Sequence, residues 1–123
     1  MTNNSIRLVP MAGMAVLLAG QLQVASVVAA EGIDPVAEGK AIAFARSKGN
    51  CLACHMIEGG VSPGNVGPPL IAMKARYPDK EKLRAQIFDA TMFNQDSAMV
   101  PFGKHRVLTE DEINKVTEYI WTL

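Results

Sequence analysis

The 123-residue chain carries 12 Lys+Arg and 12 Asp+Glu, so its formal net charge is zero; it has two cysteines and two histidines. That length gives room for one domain, and the charge balance excludes a strongly basic nucleic-acid-binding face. It shows no acidic tail either.

The first thirty residues differ from the rest. Arg7 is the only basic residue before position 40; an apolar run follows from Leu8 to Gly20, and Val28-Ala29-Ala30 precedes Glu31. A charged start, a short apolar core and a small-residue ending are the layout of a secretory signal. The apolar core is shorter than the ~18 unbroken residues of a spanning helix. The sequence therefore predicts a signal peptide over 1–30, cleaved after Ala30, and a mature domain over 31–123 in an exported, periplasmic setting. An uncut anchor over Leu8–Ala30 is the alternative. All 12 acidic and 11 of the 12 basic residues fall in 31–123, for a net charge near −1. A domain of about 93 residues buries a modest core, and exported domains of that size commonly rely on a staple or a cofactor.

The first predicted helix begins with Asp34 as N-cap and Pro35 at its first position, and runs to about Ser47. Gly39 lies inside it and lowers helix stability. A close crossing by another helix would account for a glycine there.

Both cysteines lie in "CLACH", Cys51 to His55. A Cys51–Cys54 disulfide would close a very short loop and restrain little of the unfolded chain. It would be a redox pair, but the strand that precedes thioredoxin-type pairs is missing from the pattern. Zinc wants four nitrogen or sulfur ligands. Only His55 and His105 remain to supply them, and His55 is badly placed beside Cys54. The third reading is covalent haem, whose attachment signature is C-x-x-C-H. Thiols three positions apart can reach the two vinyl groups on one side of a porphyrin, and the next residue offers its imidazole to the iron. Export agrees with it, because this attachment takes place outside the cytoplasm.

"GGVSPGNVGPPL", Gly59 to Leu70, is a loop by composition. A haem-bound imidazole normally donates its second N–H to a carbonyl or carboxylate. Pro68 is the expected acceptor, because proline holds its backbone still, and Leu70 is an expected apolar wall of the pocket. Asp79 to Asn94 is a predicted helix capped by Asp79, with Leu83, Ile87 and Ala90 on one face. Met92 at its end is expected in the core.

The second axial ligand has to come from downstream. Met56 adjoins His55 and cannot cross to the other face of the ring, and Met73 follows the attachment site closely. Met99 lies in a non-helical run with Pro101 and Gly103, a setting that can hold a thioether against iron. Methionine ligation raises the potential and suits electron transfer. His105 is the rival, and would give a lower-potential centre; between Lys104 and Arg106 it reads better as a solvated loop residue. The last predicted helix opens on a capping box, Thr109 with Glu112, and carries an apolar stripe of Ile113, Val116 and Ile120.

The order of these pieces resembles the class I cytochrome c fold over the whole mature chain: all-α, with helices wrapped around one covalently bound haem c. "KGNCLACH", "GNVGPPL" and "MVPFGKHRVLTEDEINKVTEYI" further resemble the SoxX family, the small monohaem subunits of the SoxAX cytochromes of sulfur oxidation. Position 100 is Val where many of those relatives carry Pro. The resemblance implies that Cys51 and Cys54 hold the haem and that His55 and Met99 bind its iron. It implies a SoxA-type cytochrome as heterodimer partner, with the SoxYZ carrier and a small soluble electron acceptor as transient partners. It also implies the electron-relay role in an enzyme that oxidatively joins thiosulfate to a carrier cysteine. A free-standing electron carrier is the alternative, and a haem-based sensor with an open distal position is a third. No nucleophile–base pair, paired carboxylates or phosphate-cradling loop suggests independent catalysis in this chain, and no nucleic acid, or membrane after signal cleavage, is expected as a partner.

Overall fold

The computed structural model describes residue 32 and residues 34–123; the export signal expected over 1–30 and its cleavage point lie outside the described residues. Among the described residues there is no strand, in agreement with the all-α expectation. None of their helices is long and apolar enough to cross a membrane.

The described residues form four α-helices: α1 (Pro35–Phe44), α2 (Met73–Arg76), α3 (Lys80–Phe88) and α4 (Glu110–Trp121). Each long helix starts where its sequence offers a cap. Asp34 accepts from the Val36 amide at 3.0 Å and Asp79 from the Glu81 amide at 3.0 Å. Thr109 and Glu112 form the reciprocal box expected of them, at 3.2 and 2.9 Å. Acidic residues in the first turn of α4 also complement the positive end of its dipole.

Two boundaries differ from the sequence expectation. α1 stops at Phe44 rather than near Ser47, because Ala45 turns extended and the chain folds back so that the Gly49 amide donates to the Ile42 carbonyl at 3.1 Å. α3 stops at Phe88 rather than running to Asn94. Asp89 is extended there and caps a new 3-10 turn, Ala90–Met92, by accepting from the Thr91 amide at 3.0 Å. The break rotates Met92 off the apolar face: it is 68% exposed, not core filler as its spacing suggested.

α4 packs across α1 and against α3 and α2. Its stripe of Ile113, Val116, Tyr119 and Ile120 is buried, and Phe44 meets Tyr119 edge to face at 6.2 Å between ring centroids. The α1–α4 crossing is set by Gly39. A Cβ at that position would lie 1.9 Å from the Lys115 carbonyl oxygen. Beside this contact Lys115 forms ion pairs at 2.6 Å with Glu38 of α1 and with Asp111 of its own helix. At the far side of α4, Lys80 pairs with Glu118 at 2.8 Å, and Arg84 with Glu110. The indole of Trp121 donates to the Tyr77 carbonyl at 3.0 Å and has Lys74 and Lys80 over its ring.

The loop after α3 is tied back to that helix. The Gly103 amide donates to the Phe88 carbonyl at 3.0 Å, and Lys104 pairs with the buried Asp89 at 3.0 Å. The Thr91 hydroxyl and Lys104, in that order of effect, hold the Asp89 carboxyl below its usual range; burial opposes them only in part.

Two predictions follow from these contacts. Gly39→Ala gains up to about 1 kcal/mol of helix propensity, yet the added methyl meets a backbone carbonyl that cannot swing aside. Overpacking of about 1–3 kcal/mol wins, so the denaturation midpoint of the holoprotein should fall; a rise would show that the helices can separate at no cost. For Asp89, a folded-state pKa below the unfolded 3.8 means that its contribution is full above that pH and is lost as pH falls through the lower folded value. Asp89→Asn should be less stable at neutral pH and show a shallower loss of stability below about pH 4 in an acid titration of the holoprotein. Parallel acid limbs would exclude Asp89 as a source of the slope.

Candidate functional site

"CLACH" folds because Asn50 turns the chain. Asn50 adopts a left-handed conformation, φ 47° and ψ 37°, which asparagine tolerates better than most residues. One helical turn follows, with the Cys54 and His55 amides donating to the Cys51 carbonyl at 3.2 and 2.9 Å. Spacings of three and four in that turn bring Cys51, Cys54 and His55 to one side, and all three border the same cavity. Both thiols are free. Before any link to a cofactor, burial pushes the Cys51 thiol up to about 11, with a backbone hydrogen bond opposing the shift and the nearby Cys54 adding to it.

The glycine-proline loop runs beside this turn and is laced to it. Amides of Gly64, Gly67 and Leu70 donate to the carbonyls of Leu52, Cys54 and Met56 at 2.8, 2.8 and 2.9 Å. The lacing places the Pro68 carbonyl oxygen 2.7 Å from His55 Nδ1. A carbonyl can only accept, so a proton sits on Nδ1, and Nε2 is the nitrogen left to face a metal. Gly67 permits the approach: a Cβ there would stand 2.3–2.9 Å from three atoms of the imidazole ring. Leu70 is buried and borders the cavity.

The cavity measures about 530 Å³. α3 supplies Leu83, Gln86 and Ile87, α4 supplies Val116 and Ile120, and the loop between them supplies Met99, Phe102 and Leu108. Met99 is half-buried, its amide donates to Ser97 Oγ at 3.2 Å, and its sulfur lies 4.0 Å from Gln86 Nε2. His105 is exposed and does not border the cavity. Met73 does border it, fully buried, with its sulfur 3.5 Å from Arg76 Nη1.

Several of these residues have no clear signal in the sequence. Met73 and Arg76 belong to α2, one turn of helix with no side-chain cap, entered through a left-handed Ala72 at φ 50° and ended by Tyr77. Only Gln86 could have been found, as a polar side chain beside Leu83 and Ile87 on an apolar stripe.

Two free thiols, an imidazole with one nitrogen protonated and the other available, and a thioether meet on one apolar cavity. That donor set fits a covalently held haem. It does not fit a structural metal: among the described residues no group of three or more His, Cys, Asp or Glu could hold an ion.

Comparison with known proteins agrees with the geometry. A protein of Aquifex aeolicus (strain VF5) described as an uncharacterized lipoprotein is 32% identical over 74 residues, covering 59% of this chain and 36% of that protein. The chain thus spans about a third of that relative's length. The family model for cytochrome c matches residues 36–123, from the first turn of α1 to the last residue. The chain belongs to the cytochrome c family: it is a c-type cytochrome, all-α over its described residues, whose cofactor is covalent haem c.

Proposed function

We propose that this chain is the small monohaem subunit of a SoxAX-type complex, exported to the periplasm. It takes electrons from a larger SoxA-type cytochrome and passes them to a small soluble acceptor, while the complex couples thiosulfate to a cysteine of a SoxYZ-type carrier. The motifs "GNVGPPL" and "MVPFGKHRVL" support the family reading, because they are more specific than C-x-x-C-H. The observation that carries the electron-relay reading is the protonated His55 Nδ1 on Pro68, with the Met99 thioether on the same cavity.

When bound, the haem supplies a one-electron centre. The chain's own residues do the rest. Cys51 and Cys54 would anchor the ring through thioether links, and His55 and Met99 would hold its iron. Pro68 fixes the imidazole's tautomer and orientation, and Leu70 closes part of the apolar wall that keeps water away. A methionine ligand and a dry surround both favour a high potential. In this reading the larger subunit holds the catalytic centre for the sulfur chemistry.

Three measurements test this. The mature protein should weigh one haem more than its amino acids, and Cys51→Ala with Cys54→Ala should lose that mass together with most of the helical circular-dichroism signal; a well-folded double variant counts against a haem-dependent core. Met99→Ala should abolish the weak near-infrared sulfur–iron band of the oxidised protein and lower its potential, whereas His105→Ala leaves both unchanged. The reverse pattern would move the ligand to His105. A tagged chain drawn from its native periplasm should bring a second cytochrome with it; recovery alone would favour the free-standing carrier.

A further inference from the structure

Residues 67–70 hold the acceptor for His55. The Gly67 and Leu70 amides donate to Cys54 and Met56, and Pro68 and Pro69 have no amide hydrogen to give. Both carbonyls of the proline pair accept. The Pro68 oxygen takes the imidazole, and the Pro69 oxygen takes Arg76 Nη1 at 2.7 Å. Arg76 is thus the side chain from outside the loop that grips the second carbonyl of the proline pair.

Arg76 is well placed to grip. It ends α2, which is pinned to the end of α4 by the Met73 amide on the Leu123 carbonyl at 2.7 Å and by Trp121 on the Tyr77 carbonyl. Buried Met73 fills the space beneath, with its sulfur 3.5 Å from the same guanidinium nitrogen. Arg76 also forms no ion pair among the described residues, in contrast to Lys48 at the same cavity, which pairs with Glu112. Its Nη1 donates to a neutral backbone carbonyl.

We propose that Arg76 is a positioning residue for His55: by holding the Pro69 carbonyl it fixes the orientation of the Pro68 peptide and so keeps the His55 Nδ1 hydrogen bond closed. The proposal rests on the reading of His55 as the iron's imidazole ligand. Arg76 acts through the proline pair and not by touching the metal or the ring.

The test uses the reduced holoprotein, the Nδ1 proton of His55 and four forms of position 76. Hydrogen exchange of that proton, followed by NMR, should speed up about tenfold or more in Arg76→Ala. Arg76→Lys and Arg76→Gln, which can still donate to the Pro69 oxygen, should recover most of the protection, although Gln carries no charge. The near-infrared sulfur–iron band of the oxidised protein confirms that each variant is folded with its haem ligated. Unchanged exchange in Arg76→Ala overturns the proposal, even if the potential shifts. Exchange in Arg76→Gln as fast as in Arg76→Ala overturns it as well, since charge and not hydrogen bonding would then be the cause. If the His55 Nδ1 proton of the unsubstituted protein lacks the large ring-current shift of a residue under the haem, the ligand reading itself has failed, a result distinct from either.

Discussion

The rest of the structure depends on a cavity in the middle of the core. Eight of the twelve residues of the buried apolar cluster also border that cavity, so the core and the cofactor site share their walls. The haem that the family carries therefore takes its apolar walls from the core itself, and α1 and α4, which cross tightly at Gly39, supply the part that side chains alone pack.

Polar order at the site comes from the loop beside the attachment turn rather than from the helices. The glycines let it approach: Gly67 has no Cβ to strike the imidazole. The prolines remove two donors, so the loop's carbonyls point to partners other than its own backbone. The outcome is an imidazole whose tautomer is fixed by chemistry, because its partner is a carbonyl that can only accept. A carboxylate partner would pull harder on the same proton and make the imidazole a stronger donor; a neutral carbonyl is the gentler choice, and agrees with a centre of higher potential.

What the sequence made legible was local. Asp34, Asp79 and Thr109 each announced a helix start because a cap acts within three residues. Gly39 was suspect because it costs a helix stability for no local return. The attachment turn was legible because its spacing is the chemistry. What stayed hidden depends on partners far along the chain. α3 breaks at Asp89 because that carboxylate is claimed by Thr91 and by Lys104 from the following loop, and no periodicity shows that Met92 then turns outward. α2 has only four residues and owes its existence to contacts with the end of α4. Arg76 is invisible for the same reason: its acceptor lies seven residues back, across a left-handed turn.

The choice between Met99 and His105 shows how such long-range ties decide chemistry. Both lie in one loop, six residues apart, and either side chain is a competent haem ligand. The loop is anchored at its middle, where Gly103 and Lys104 bind the end of α3. Before that anchor Met99, Val100 and Phe102 border the cavity; His105 after it is exposed, and a left-handed Arg106 at φ 56° precedes the return of Val107 and Leu108 to the cavity wall. The tie between Asp89 and Lys104 therefore helps place the thioether and withhold the imidazole. Were His55 and Met99 both to hold the iron, as proposed, the centre would keep no open position for substrate or gas, and what would remain for it to exchange with a partner is an electron.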